Sequence, residues 1–160
     1  MTATIVQHLE LQTASARRLL SIVLAQGEAI REQDVEAVLA RLAEMQVELA
    51  ARNELEAERD RILAAAAERL GLHPQSIDLE LLLAGAPSPD AARARELSAE
   101  LRGLLVEVGR VHELNRVLLR QELVFLGHLM RILSGAPQGG YSPNGYVAVA
   151  QGGRAVDARA

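Results

Sequence analysis

The chain contains no cysteine, no tryptophan and, among its 17 basic residues, no lysine. Without cysteine there is no disulfide framework, zinc–thiolate site, iron–sulfur cluster or cysteine nucleophile. Aromatic residues make up only 2% of the sequence: Phe125, Tyr141 and Tyr146. Sheet sandwiches and barrels draw on aromatic and β-branched residues, so this shortage argues against them. No apolar run approaches the roughly 18 residues of a membrane span. The longest, Ile62–Ala67 and Leu81–Ala86, are short. Positive charge is also not in excess, since the net charge is −4, and that argues against a nucleic-acid binder. Residues Met1–Leu11 have no basic stretch and include Gln7, His8 and Glu10, unlike a secretory signal. The expectation is a soluble cytoplasmic protein with no nucleic-acid partner and no membrane insertion. The exclusive use of arginine reads as codon bias toward GC-rich DNA.

What is abundant points the other way. The 160 residues include 27 Ala, 27 Leu, 16 Glu and 17 Arg, which together exceed half the chain. That composition belongs to long helices or coiled coils. The first helix is expected over about 2–33, on a stripe of Ile5, Leu9, Ala16, Leu19, Val23 and Ile30 at helical spacing. Gln12 and Gln26 interrupt the stripe. Gly27 costs roughly 1 kcal/mol relative to alanine without stopping the helix. Asp34 is suited to cap a second helix over about 35–70, which Gly71 and Pro74 would end. Its middle, Arg52–Arg61, is charged almost throughout, and a part leaning past the core into water is expected there. Ser76 would cap a short helix over 77–84. Ser88 followed by Pro89 would start a third long helix running to about 133.

The seam of that last helix is Leu97, Leu101, Leu104, Val108, Val111, Leu118, Phe125, Leu129 and Ile132, with Asn115 and Glu122 as polar intruders. Leu105, Leu114, Leu119, Leu126 and Leu133 widen it, as packing against two partners would require. The fold expected is all-α: an antiparallel hairpin of two long helices with a third packed along it. Residues 1–134 would form the bundle and 135–160 a flexible Gly/Pro-containing tail.

Signals for catalysis are weak. His112-Glu113 starts like a zinc-protease HExxH string, but position 116 is arginine, so the second ligand is missing. Glu54, Glu56, Glu58 and Asp60 point to different helix faces and read as a solvated surface. Gly139-Gly140 and Gly152-Gly153 sit in no strand-to-helix context that would cradle phosphate. No catalytic residue, metal or cofactor is therefore expected. Asn115 stands out because the heptad phase places it on the apolar face. It either sets the register between helices or contributes to a partner groove. Tyr141 stands out as an aromatic in the tail, where it either packs loosely on the bundle or anchors in a partner's pocket.

Two C-terminal strings carry a family resemblance. His112-Glu113-Leu114-Asn115-Arg116-Val117-Leu118-Leu119 resembles a pattern N-x-x-N-x-x-L-L, with His112 in place of the first asparagine. Tyr141-Ser142-Pro143-Asn144-Gly145 resembles Y-x-x-[DN]-G. With the helical layout and the Arg61–Leu72 stretch, they make the chain similar to the FlgN family of flagellar type III export chaperones. The resemblance implies a protein that keeps the hook–filament junction proteins FlgK and FlgL soluble by binding their C-terminal helices, then hands them to the cytoplasmic domain of FlhA. It implies client contact near Asn115, Leu118, Leu119, Phe125, Leu126, Leu129, Ile132 and Leu133. Contact with the export gate would fall at Tyr141, Asn144 and Gly145. The competing expectation is a purely structural bundle that homodimerises through the same apolar face.

Overall fold

The computed structural model describes residues 2–134. Five elements follow in order: α1 (Thr2–Arg31), α2 (Val35–Leu70), a single 3₁₀ turn (Pro74–Ser76), α3 (Leu79–Leu82) and α4 (Ser88–Leu133). No strand occurs among the described residues, so the all-α expectation holds. The described residues up to Gln121 form one structural unit, and those from Glu122 belong to a second that begins within α4.

The turn between α1 and α2 is tight. Gln33 takes a left-handed conformation (φ 57°), and the Asp34 amide reaches back to the Ala29 carbonyl at 3.0 Å. Asp34 then caps α2, its side chain accepting from the Ala37 amide at 2.9 Å. This satisfies one of the donors that a helix start leaves open. Gly71, at φ 64°, closes α2 by donating its amide to the Ala67 carbonyl. The short helix is later and shorter than 77–84. Its cap is Asp78, which accepts from the Leu81 amide at 2.8 Å, whereas Ser76 is spent in the preceding 3₁₀ turn. A carboxylate one turn ahead of Leu81 is the better-placed acceptor, and the helix ends at Leu82 with Leu83 as its C-cap.

Within the first unit, α1 and α2 run antiparallel: Gln12 meets Glu56, and Ser15 meets Glu48. Helix α4 runs parallel to α1, with Arg93 beside Glu10, Arg17 paired to Glu100, and Asn115 on Val23. The core is a series of small clusters. Leu19, Val23, Met45 and Val111 join all three long helices. Ala66, Ala67 and Ile77 seat the chain after α2. Leu83, Ala91 and Ala94 lock the start of α4, with Val6 and Leu9 of α1 against them. Alanines at these contacts let the helix axes approach closely.

In the charged middle of α2, Glu54, Arg59, Asp60 and Arg61 are exposed, while other polar groups of α2 face α1. Glu48 is buried and Arg52 and Glu56 are half-buried, because the facing side of α1 is itself polar: His8, Gln12 and Ser15. A reading that counts only apolar residues misses such an interface.

Candidate partner-binding face

Asn115 is the most buried of the sequence-predicted site residues, with 1% of its surface exposed. Its Nδ2 donates to the Val23 carbonyl at 2.7 Å and to Gln26 Oε1 at 3.3 Å, both on α1. Its Oδ1 has no hydrogen-bond partner and lies over Gly27, where a Cβ would stand only 2.8 Å away. Gly27 is therefore a close-approach position. Gln26, an interruption in the apolar stripe, is one of the acceptors that the buried amide uses.

A second polar seam joins α1 to α2. The Ser15 hydroxyl donates to Glu48 Oε1 at 2.6 Å, and Arg18 donates from Nε to Glu48 Oε2 at 2.9 Å. The Arg18 guanidinium, by hydrogen bonding, holds the Glu48 carboxyl below the usual range. Burial opposes the shift and the Ser15 hydroxyl reinforces it. Further along, Gln12 Nε2 donates to Glu56 Oε1 at 3.2 Å and lies 3.4 Å from His8 Nε2. Burial lowers the His8 pKa, with Glu56 and Glu58 partly offsetting it. A groove of about 310 Å³ opens here, walled by Ile5, Leu9, Leu63, Leu82 and Leu101 and edged by His8, Gln12 and Arg52. His8 Nδ1, Gln12 Oε1 and Arg52 Nη1 are buried without partners.

The other sequence-predicted residues on α4 divide into two groups. Leu118 and Leu119 are half-buried. Phe125, Leu126, Leu129, Ile132 and Leu133 are all exposed, Phe125 by 55% and Leu133 by 80%. Leu123, Val124 and Met130 share that exposure and were not among the expected residues. For Leu123 and Val124 the signal was the unbroken run Leu123-Val124-Phe125-Leu126, which turns apolar residues to every side of the helix. No residue after Asn115 is buried among the described residues. In the sequence, Leu118, Glu122, Leu126 and Leu129 follow Asn115 at helical spacing.

Elsewhere the surface is laced with short ion pairs, such as Arg110–Glu107 at 2.6 Å and Arg116–Glu113 at 3.0 Å, and His112 is exposed. Among the described residues no group of three His, Asp or Glu side chains is arranged to hold a metal. No described helix is long and apolar enough to cross a membrane. Tyr141, Asn144 and Gly145 lie outside the described residues.

The family model for the FlgN protein matches residues 1–148. The chain belongs to the FlgN family. No curated protein and no solved structure matches it. FlgN membership makes it a flagellar export chaperone, in a family of chaperones and not of enzymes. In this FlgN chain, the match takes in the buried Asn115, the exposed end of α4 and the Tyr141–Gly145 string.

Proposed function

We propose that the chain is a cytoplasmic carrier that takes the C-terminal helical segments of the junction proteins FlgK and FlgL onto the exposed end of α4 and delivers them to FlhA. The observation carrying this reading is the uncovered apolar surface of Phe125, Leu126, Leu129, Ile132 and Leu133 in a member of an export-chaperone family. A secretion client must stay unassembled, and an amphipathic helix on such a client needs a temporary apolar partner. Burying about 600 Å² of apolar area would yield on the order of 15 kcal/mol gross at about 25 cal/mol/Å². Ordering and rigid-body costs consume much of that, leaving micromolar or somewhat tighter affinity. Such affinity suits a carrier that must let go. Asn115 seats α4 on α1, and Leu118 and Leu119 are the half-buried members of the proposed client set.

On the same reading, contact with the export gate falls to Tyr141, Asn144 and Gly145. The direct test is co-purification of FlgK or FlgL with the full chain and with a chain ending at Leu133. Both are expected to retain the client. Tyr141→Ala is expected to lower motility while leaving client retention unchanged. A silent Tyr141→Ala would remove the gate role. A chain that retains neither client and instead pairs with its own copy through Leu126 and Leu129 would favour the purely structural reading.

A further inference from the structure

We infer that Gly27 and Asn115 form a register key, a specificity-determining pair that admits only this chain's α1, in one alignment, onto the middle of α4. The inference does not depend on the identity of any client. Asn115 lies in an otherwise apolar line with Val108 and Val111, and its side chain is sealed from water. A buried amide without partners is costly, so any helix laid over it must supply acceptors. Helix α1 supplies two, the Val23 carbonyl and Gln26 Oε1. It must also leave room for Oδ1: a Cβ would sit 2.8 Å from that oxygen, so any residue but glycine would push the Asn115 amide off its two acceptors. Helix α1 has a single glycine. Sliding it by one turn in either direction would bring a side chain against Oδ1 and take the Gln26 acceptor away. Gly103, Gly109 and Gly127 of α4 are different, because a Cβ on any of them would meet nothing within 4 Å.

The chain has a reason to need such a key. Leu39, Leu42, Leu114 and Val117 are exposed, and leucine stripes of this kind pair promiscuously. A second copy's helix, or any apolar helix, would otherwise compete with α1 for Val108–Asn115. A polar residue at one seam position is a recognised way to fix alignment and partner number at some cost in stability.

The test uses the full-length protein. In a helix interior Gly→Ala ordinarily stabilises. Here Gly27→Ala is expected to lower the thermal midpoint by at least about 3 °C. With Asn115→Ala in the background, the same change is expected to be neutral or to raise the midpoint. Asn115→Leu, similar in shape and apolar, is expected to keep its helical circular dichroism. Light scattering after size exclusion is expected to show it moving to a higher or mixed oligomeric state than the parent. Three results would each overturn the key: Gly27→Ala stabilising the parent, Gly27→Ala acting alike in both backgrounds, or Asn115→Leu keeping the parent's oligomeric state. An unfolded Asn115→Leu would overturn it too, since the amide would then be required for folding and not for choosing a partner.

Discussion

At the scale of single residues, the protein's polar core groups set its response to acid. Glu48 is held ionised by Arg18 and Ser15, so its folded-state pKa lies below the ordinary 4.5. A depressed carboxylate contributes stability that is present above 4.5 and is lost as pH falls through the folded value. His8 is kept neutral by burial, its pKa below the ordinary 6.5. The unfolded chain therefore gains a proton there first, and stability declines as pH drops below about 6.5. Urea midpoints measured between pH 7.5 and 3.5 should fall in two stages. His8→Gln should flatten the upper stage, and Glu48→Gln should diminish the lower one. A midpoint independent of pH over this range would contradict the account. These residues were only half legible beforehand. The heptad phase placed Asn115 on the apolar face, but nothing in the local sequence says that its oxygen faces Gly27, because the two are brought together only by helix packing. Gly27 on its own reads as a small penalty.

At the scale of elements, long apolar periodicity was enough to place α1, α2 and α4, with Asp34 and Gly71 at two of their ends. Short elements depend on which nearby acceptor captures which amide, and there Asp78 prevailed over Ser76. The α1–α2 turn offers a paired test of opposite sign. Gln33 occupies a left-handed position that glycine would take without steric cost, so Gln33→Gly should stabilise by about 1 kcal/mol. Asp34→Ala removes the acceptor for the Ala37 amide and should destabilise by about 1 kcal/mol. Denaturant melts of the two variants check both signs. Polar contact between helices was the least legible feature at this scale. Within Arg52–Arg61, Glu54, Arg59, Asp60 and Arg61 are exposed, but Glu56 accepts from Gln12 of α1, a contact that apolar periodicity does not reveal.

At the scale of the whole molecule, the chain belongs to a family of flagellar export chaperones and carries an apolar end on α4 that none of its described residues buries. The breadth of that stripe was visible in the sequence, as was its continuation past Asn115. What a sequence cannot show is where along one continuous stripe the chain's own helices stop covering it. The central claim is that the uncovered part is a seat for a client helix. The measurement that reaches it most directly is titration calorimetry of a peptide from the C-terminal helix of FlgK or FlgL into the full-length protein, beside its Phe125→Asp variant. The account predicts one peptide per chain at micromolar or tighter affinity, weakened at least about tenfold by Phe125→Asp, which is about 1.4 kcal/mol. No heat with either peptide at tens of micromolar, or equal binding by the variant, would contradict it.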